Sequence, residues 1–298
     1  MMRTQKKNLF FHIKTILLAL LLCTVNYVTA DAANVRTPEA SGTVTYVGKK
    51  SVIDASHASD GYIMIKYTGE NPKIKIRIKN VVEYTYDLNS SGQYETFPLS
   101  EGSGTYTVKL FEHSSGNNYA QAVSQSITVN LTSESSPFLY PNQFCNYSAG
   151  SAAVSLADTL TAGLSDPLKK VEAIYNYTTE NITYDNVKAA SVQSGYLPNI
   201  DATLNQKTGI CFDYAAVMTS MLRVEDIPTK LVIGYAGEAY HAWVSVYIQG
   251  QGWIDNIIYF DGSTWKFMDP TFASGGKDNK AVQDFIAKPE NYRAKFSY

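Results

Sequence analysis

Between Lys73 and Lys79 the chain alternates without a break: Lys73-Ile74-Lys75-Ile76-Arg77-Ile78-Lys79 sets isoleucines on one side and cations on the other. A period of two fits a β-strand with one buried face and excludes a helix, because successive Cβ atoms of a strand point to opposite sides. Gly61 to Tyr67, Val81 to Tyr86, Tyr106 to Phe111 and Ile127 to Leu131 carry similar patterns. Asp60-Gly61, Gly69-Glu70-Asn71-Pro72, Asn89-Ser90-Ser91-Gly92 and Ser114-Ser115-Gly116-Asn117-Asn118 supply turns between them. Short strands at this spacing, with no helical period between them, predict an all-β sandwich of immunoglobulin-like size over residues 31–133. The cationic face of Lys73, Lys75, Arg77 and Lys79 has two readings, a docking face for an anionic polymer or a solvated guard for a strand edge.

The start of the chain reads as an export signal over residues 1–30. Arg3, Lys6, Lys7 and Lys14 form a basic segment, Ile16 to Leu22 an apolar run, and Val28-Thr29-Ala30 a small-residue cleavage site. The apolar run is shorter than the roughly 20 residues of a spanning helix. The expected location is therefore secreted or cell-surface, with the membrane engaged only through the signal or through an uncleaved N-terminal anchor. Removing the signal removes Cys23 and leaves Cys145 and Cys211. A bridge between those two is arithmetically open. Two free thiols are the preferred reading, since disulfide-dependent exported domains carry more cysteines. A net charge of −2 gives no general reason to bind nucleic acid. No CxxC pair or close His/Cys cluster is present, so a zinc site is not expected, and nothing in the sequence implies another metal or an organic cofactor.

Thr132-Ser133-Glu134-Ser135-Ser136-Pro137 breaks the strand pattern, and a second domain is expected over residues 134–298. There Ser165-Asp166-Pro167 reads as a helix start with Ser165 as the cap, followed by Leu168, Val171, Ile174 and Tyr175 on one face. A second helix is expected from Cys211 to about Arg223. Strands follow at Lys230–Gly234, His241–Ile248, Trp253–Phe260 and Trp265–Met268. Helices first and then an antiparallel sheet is an α+β arrangement.

Cys211, His241 and Asp269 follow in that order, each at the edge of an expected element. A cysteine at a helix N-terminus meets unpaired backbone N–H groups that favour its thiolate. Gly209 permits a sharp turn into that helix. His241 is placed to serve as base and then acid, and Asp269 to hold the other imidazole N–H. Taken singly, each residue has a plainer reading: a small buried hydrophobe, a structural histidine, a turn former before Pro270. Trp243, Trp253 and Trp265 read as sheet packing before they read as an acyl groove. Gly195-Tyr196-Leu197-Pro198-Asn199 is expected to contribute to a substrate pocket.

The motifs Ile182-Thr183-Tyr184, Thr208-Gly209-Ile210-Cys211-Phe212-Asp213-Tyr214-Ala215, Tyr240-His241-Ala242-Trp243 and Met268-Asp269-Pro270-Thr271 resemble those of the transglutaminase-like superfamily of papain-like cysteine enzymes. The resemblance implies helices packed on an antiparallel sheet and a thioester on Cys211, with His241 and Asp269 completing the triad. It implies hydrolysis of an amide or peptide bond, with a protein, a peptide or a cell-wall peptide as substrate. Two alternatives stand beside that reading: a protein-glutamine transglutaminase that forms isopeptide bonds, and a non-catalytic cell-surface binding module. The family's cross-linking members carry an oxyanion tryptophan upstream of the cysteine, and here every tryptophan follows Cys211. Tyr184 and Gln206 are the candidates for that donor.

Overall fold

The computed structural model describes residues 35–89, 92–255, 258–260, 265–267, 271, 280–286 and 288–298. The export segment proposed over residues 1–30 lies outside them, as does Asp269. The first eight strands are β1 (Thr45–Val47), β2 (Ser51–Asp54), β3 (Tyr62–Tyr67), β4 (Ile74–Lys79), β5 (Glu83–Leu88), β6 (Tyr94–Pro98), β7 (Gly104–Ser115) and β8 (Asn118–Val129). They form two four-stranded sheets in the orders β1-β2-β3-β6 and β5-β4-β7-β8. Every neighbouring pair is antiparallel.

The alternating segment behaves as its pattern requires. Ile74, Ile76 and Ile78 are buried against Ile53, Ile63, Ile65 and Phe97 of the other sheet in one hydrophobic cluster. On the opposite face the cations meet partners on β5: Lys75 Nζ lies 2.5 Å from Asp87 and Arg77 Nη1 lies 3.4 Å from Glu83. Cross-strand pairing of opposite charges stabilises the sheet by a few tenths of a kcal/mol to about 1 kcal/mol each. β1, β2 and β6 escaped the sequence reading. They are short, and neither β2 nor β6 alternates cleanly between buried and exposed positions.

The second half carries α1 (Ala152–Thr161), α2 (Pro167–Asn181), β9 (Thr183–Tyr184), α3 (Asn186–Ser191), α4 (Ile200–Gln206), β10 (Thr208–Gly209) and α5 (Cys211–Val224). Then follow β11 (Thr229–Ala236), β12 (Ala239–Ile248), β13 (Gly252–Ile254), β14 (Ile258–Phe260), β15 (Trp265–Phe267), α6 (Lys280–Ile286) and β16 (Tyr292–Ser297). The antiparallel sheet runs β13-β12-β11-β16. Two expectations are corrected. Asp166, not Ser165, caps α2: its carboxylate accepts the Leu168 N–H at 2.9 Å, and Pro167 in the first turn has no N–H to satisfy. The single strand expected over 253–260 is two strands, and β14 pairs with β15 in a separate hairpin rather than with β13.

Helix α5 is the axis of this half. Every residue from Asp213 to Val224 is buried, so the helix is covered on all sides. Among its polar side chains, Ser220 donates to the Ala216 carbonyl at 2.8 Å. Arg223, fully buried, donates to the Thr229 carbonyl at 3.0 and 2.7 Å and to the Tyr298 main-chain oxygen at 2.7 Å. It also reaches the Tyr140 carbonyl and, at 3.0 Å, the sulfur of Cys145.

The two halves share one compact unit. An aromatic seam joins them. Tyr84 of β5 lies 5.4 Å from Phe296, Tyr86 lies 5.8 Å from Tyr298 and 5.8 Å from Phe144, and Phe144 lies 5.8 Å from Phe212, ring centre to ring centre. Burial holds the phenols of Tyr84, Tyr86 and Tyr298 above the usual range, so the seam stays uncharged. No helix among the described residues is long and apolar enough to cross a membrane.

Candidate active site

The seam delivers the sandwich to the first turn of α5, where Cys211 sits. Ile210 precedes it in extended geometry, at φ −98° and ψ 176°. The Ile210 N–H donates to Asp213 Oδ2 at 2.8 Å, which is the carboxylate half of a capping box. Gly209 is needed for close approach: a Cβ there would stand 2.7 Å from the Cβ of Asp213. Together these contacts fix the angle at which Cys211 leaves the turn and begins the helix.

Asp213 is fully buried and carries a second set of partners. Lys188 Nζ of α3 lies 2.7 Å from Asp213 Oδ2 and 2.6 Å from the Tyr196 hydroxyl, and Tyr196 donates to Asp213 Oδ1. Lys188 also lies 4.4 Å from the centre of the Tyr196 ring. Burial lowers the pKa of the Lys188 ammonium, but its hydrogen bonds and charge attraction to Asp213 and Tyr196 outweigh that and leave it raised. Burial and then the Asp213 carboxylate push the Tyr196 phenol up. The cluster pins the loop after α3 to the turn that presents the cysteine.

His241 lies on β12 and is buried, with Gly234 of β11 directly across from it. A Cβ at Gly234 would stand 2.1 Å from the Arg293 carbonyl and 2.8 Å from the Trp243 ring. The glycine therefore admits both β16 and Trp243, whose ring lies 6.3 Å from the imidazole and nearly parallel to it. Cys211 and His241 line one cavity of about 680 Å³, in the range of small-molecule and peptide sites. Tyr184 lines it too. It sits on β9, paired in parallel with β10 so that Gly209 is its partner.

Gln206 stands apart. It is the last residue of α4 and exposed, and Lys207 then turns the chain through a left-handed C-cap at φ 54° into β10. It is not among the residues lining the cavity, so its place in the fold argues against the oxyanion role. Trp243 and Trp253 pack within the sheet region: Trp243 is buried against Tyr292, and Trp253 meets Phe138 and Lys230. Of the stretch Gly195 to Asn199, Gly195, Tyr196 and Leu197 line the cavity, while Pro198 and Asn199 do not, and Asn199 instead caps α4. Cys145 and Cys211 are both free thiols, and burial pushes the Cys145 thiol up despite the opposing charge of Arg223. Among the described residues no cluster of His, Cys, Asp and Glu is arranged to hold a metal ion.

Two features of the site went unread in the sequence. One is the Lys188–Tyr196–Asp213 cluster, of which only Asp213, at the third helical position, has a local signal. The other is the far wall of the cavity, which the sandwich supplies through Lys75, Glu83, Thr85 and Asp87, with Gln143 beside them. Contacts between residues this far apart in sequence leave no spacing pattern.

Residues 154–256 match the transglutaminase-like superfamily core. The chain is similar to an uncharacterized protein, YebA, of Bacillus subtilis, 28% identical over 121 residues covering 34% of this chain and 16% of that protein. It is also similar to the kyphoscoliosis peptidase of Mus musculus, 29% identical over 132 residues covering 40% of this chain and 18% of the peptidase. The matched stretch is thus less than a fifth of the length of either curated relative. Among solved structures, a Cytophaga hutchinsonii protein described as a candidate cysteine protease aligns at TM-score 0.39 and 16% identity, covering 80% of this chain and 79% of that one. The stretch that resembles the transglutaminase-like superfamily core begins inside α1 and takes in α5, β11, β12 and β13.

Proposed function

We propose that the protein is an exported cysteine-dependent amide hydrolase acting on peptides or proteins. The observation that carries the reading is the shared cavity: a cysteine on the first turn of a buried helix and a buried strand histidine line the same cleft. In the first step the Cys211 thiolate attacks the amide carbonyl carbon. The tetrahedral intermediate collapses as the C–N bond breaks and the amine leaves with a proton from the His241 imidazolium. In the second step His241 takes a proton from water, the hydroxide attacks the thioester, and the C–S bond breaks to give carboxylate and thiol. The Cys211 N–H and the Tyr184 hydroxyl are the assigned oxyanion donors, and Asp269 is the assigned orienter of the imidazole. A primary amine in place of water in the second step gives isopeptide transfer at the same site.

The test begins with iodoacetamide. Cys211 is expected to be alkylated rapidly at neutral pH, Cys145 to stay unmodified until the protein unfolds, and His241→Ala to slow Cys211 by at least about tenfold. A Cys211 no faster than a free thiol ends the enzymatic reading and leaves a binding module. Release of new α-amino groups from an unfolded protein, without incorporation of a labelled amine, identifies the hydrolase over the transferase.

A further inference from the structure

We infer that β5 is a substrate-binding edge: an extended polypeptide pairs with it as an added strand and is thereby laid across Cys211. This rests on the reading of the cavity as the catalytic site. Strand β5 ends its sheet, with β4 on one side and no described strand on the other.

The register says which of its backbone groups are left over. The His113 N–H donates to the Lys73 carbonyl at 3.0 Å, so Lys73 and, by the period of two, Lys75, Arg77 and Lys79 direct their backbone groups toward β7. Ile74, Ile76 and Ile78 then direct theirs toward β5, where their partners are Leu88, Tyr86 and Tyr84. The N–H and C=O groups of Glu83, Thr85 and Asp87 therefore point away from the sheet. A second contact agrees: the Asp87 carbonyl accepts from Gln143 Nε2 at 3.2 Å, a side chain beyond the edge. Glu83, Thr85 and Asp87 are also the residues of β5's outward face that line the cavity with Cys211 and His241.

Edge strands open to solvent invite unwanted pairing, and proteins blunt them. Here the edge opens into a catalytic cavity instead. The charges of Asp87 and Glu83 are neutralised by Lys75 and Arg77 on β4, so the edge offers backbone pairing with little net charge. Leu197 and Tyr240, 43% and 60% exposed, line the same cavity and supply apolar surface for alternate side chains of the added strand. Backbone pairing selects a polypeptide in extended conformation over a glycan or a small amide.

Thr85→Pro tests this directly. It removes an outward N–H that β4 does not use, a position where a strand tolerates proline. Binding of fluorescein-labelled dimethylcasein, an unfolded polypeptide, is measured in the Cys211→Ala background, so the result does not depend on chemistry. Thr85→Pro is expected to raise Kd about tenfold, the worth of a lost backbone hydrogen bond, while Thr85→Val, which keeps the N–H, stays within about twofold. Equal affinity for the proline variant and its parent, or no binding by the parent, overturns the inference. Should circular dichroism show Thr85→Pro unfolded, a short casein peptide N-methylated at successive positions replaces it. Loss of binding at alternate positions supports the pairing, and uniform response along the peptide overturns it. Thr85-dependent binding with an inert Cys211 supports the edge while sinking the hydrolase reading, so the two fail separately.

Discussion

At the residue scale the site depends on two glycines that admit close neighbours. Gly209 lets Asp213 close over the turn before Cys211, and Gly234 lets β16 and the Trp243 ring approach β11 closely, beside the strand that carries His241. Neither takes a positive φ, so the requirement is space and not backbone conformation. At Gly234 the obstructing atom is a backbone carbonyl, which cannot swing aside as a side chain can. Gly234→Ala is expected to destabilise the fold by about 1–3 kcal/mol and to shift His241 relative to Cys211. Thermal unfolding checks the first part and the alkylation rate of Cys211 the second. An unchanged melting temperature would show that β16 yields freely.

At the element scale the turn into α5 is held from two directions, by the backbone of Ile210 and by Lys188 and Tyr196 through the same buried carboxylate. Lys188→Met leaves Asp213 buried without its cation. The expected loss is about 1–3 kcal/mol, less than for a fully buried pair because the lysine side chain is 31% exposed. The pH dependence follows from the raised pKa of Lys188. A cation whose folded pKa exceeds its unfolded value stabilises fully below the ordinary lysine value of 10.5 and loses that contribution as pH rises through the folded value. Protection of the loop between α3 and α4 in hydrogen exchange is therefore expected to be flat from neutral pH to about 9, and lower throughout in Lys188→Met. Loss of protection between neutral pH and 9 in the parent would assign the loop's stability to some other group.

At the scale of the whole molecule the sandwich and the transglutaminase-like core are expected to unfold together. The Tyr84, Tyr86, Phe144, Phe296 and Tyr298 rings form one seam, and Arg223 of α5 ties the chain before α1 (Tyr140 and Cys145), the start of β11 and the end of β16 to a single guanidinium. Separating the halves would expose the seam, whereas every Arg223 partner lies in the second half and stays with it. Calorimetry should give one cooperative transition, and two well-separated transitions would refute the coupling. Arg223→Met removes the donor and leaves several buried carbonyls unpaired, with an expected cost of about 3 kcal/mol in a denaturant titration.

The sequence by itself determined β4, whose alternation admits one structure. It also determined α2 within a residue of its cap and the start of α5 at Cys211, because these signals lie within a few residues of each other. It marked Cys211 and His241 as candidates, which the fold places around one cavity. Short helices such as α3 and α4, and the two-residue strands β9 and β10, carry too little periodicity to be read, since their stability comes from what packs on them. Only the tertiary structure decided that Lys188 meets Asp213, that Gln206 stays outside the cavity, and that β5 closes its far wall. Each of those depends on residues distant along the chain meeting in space, and the register that turns Glu83, Thr85 and Asp87 outward is set by β4 and β7 together, not by β5 alone.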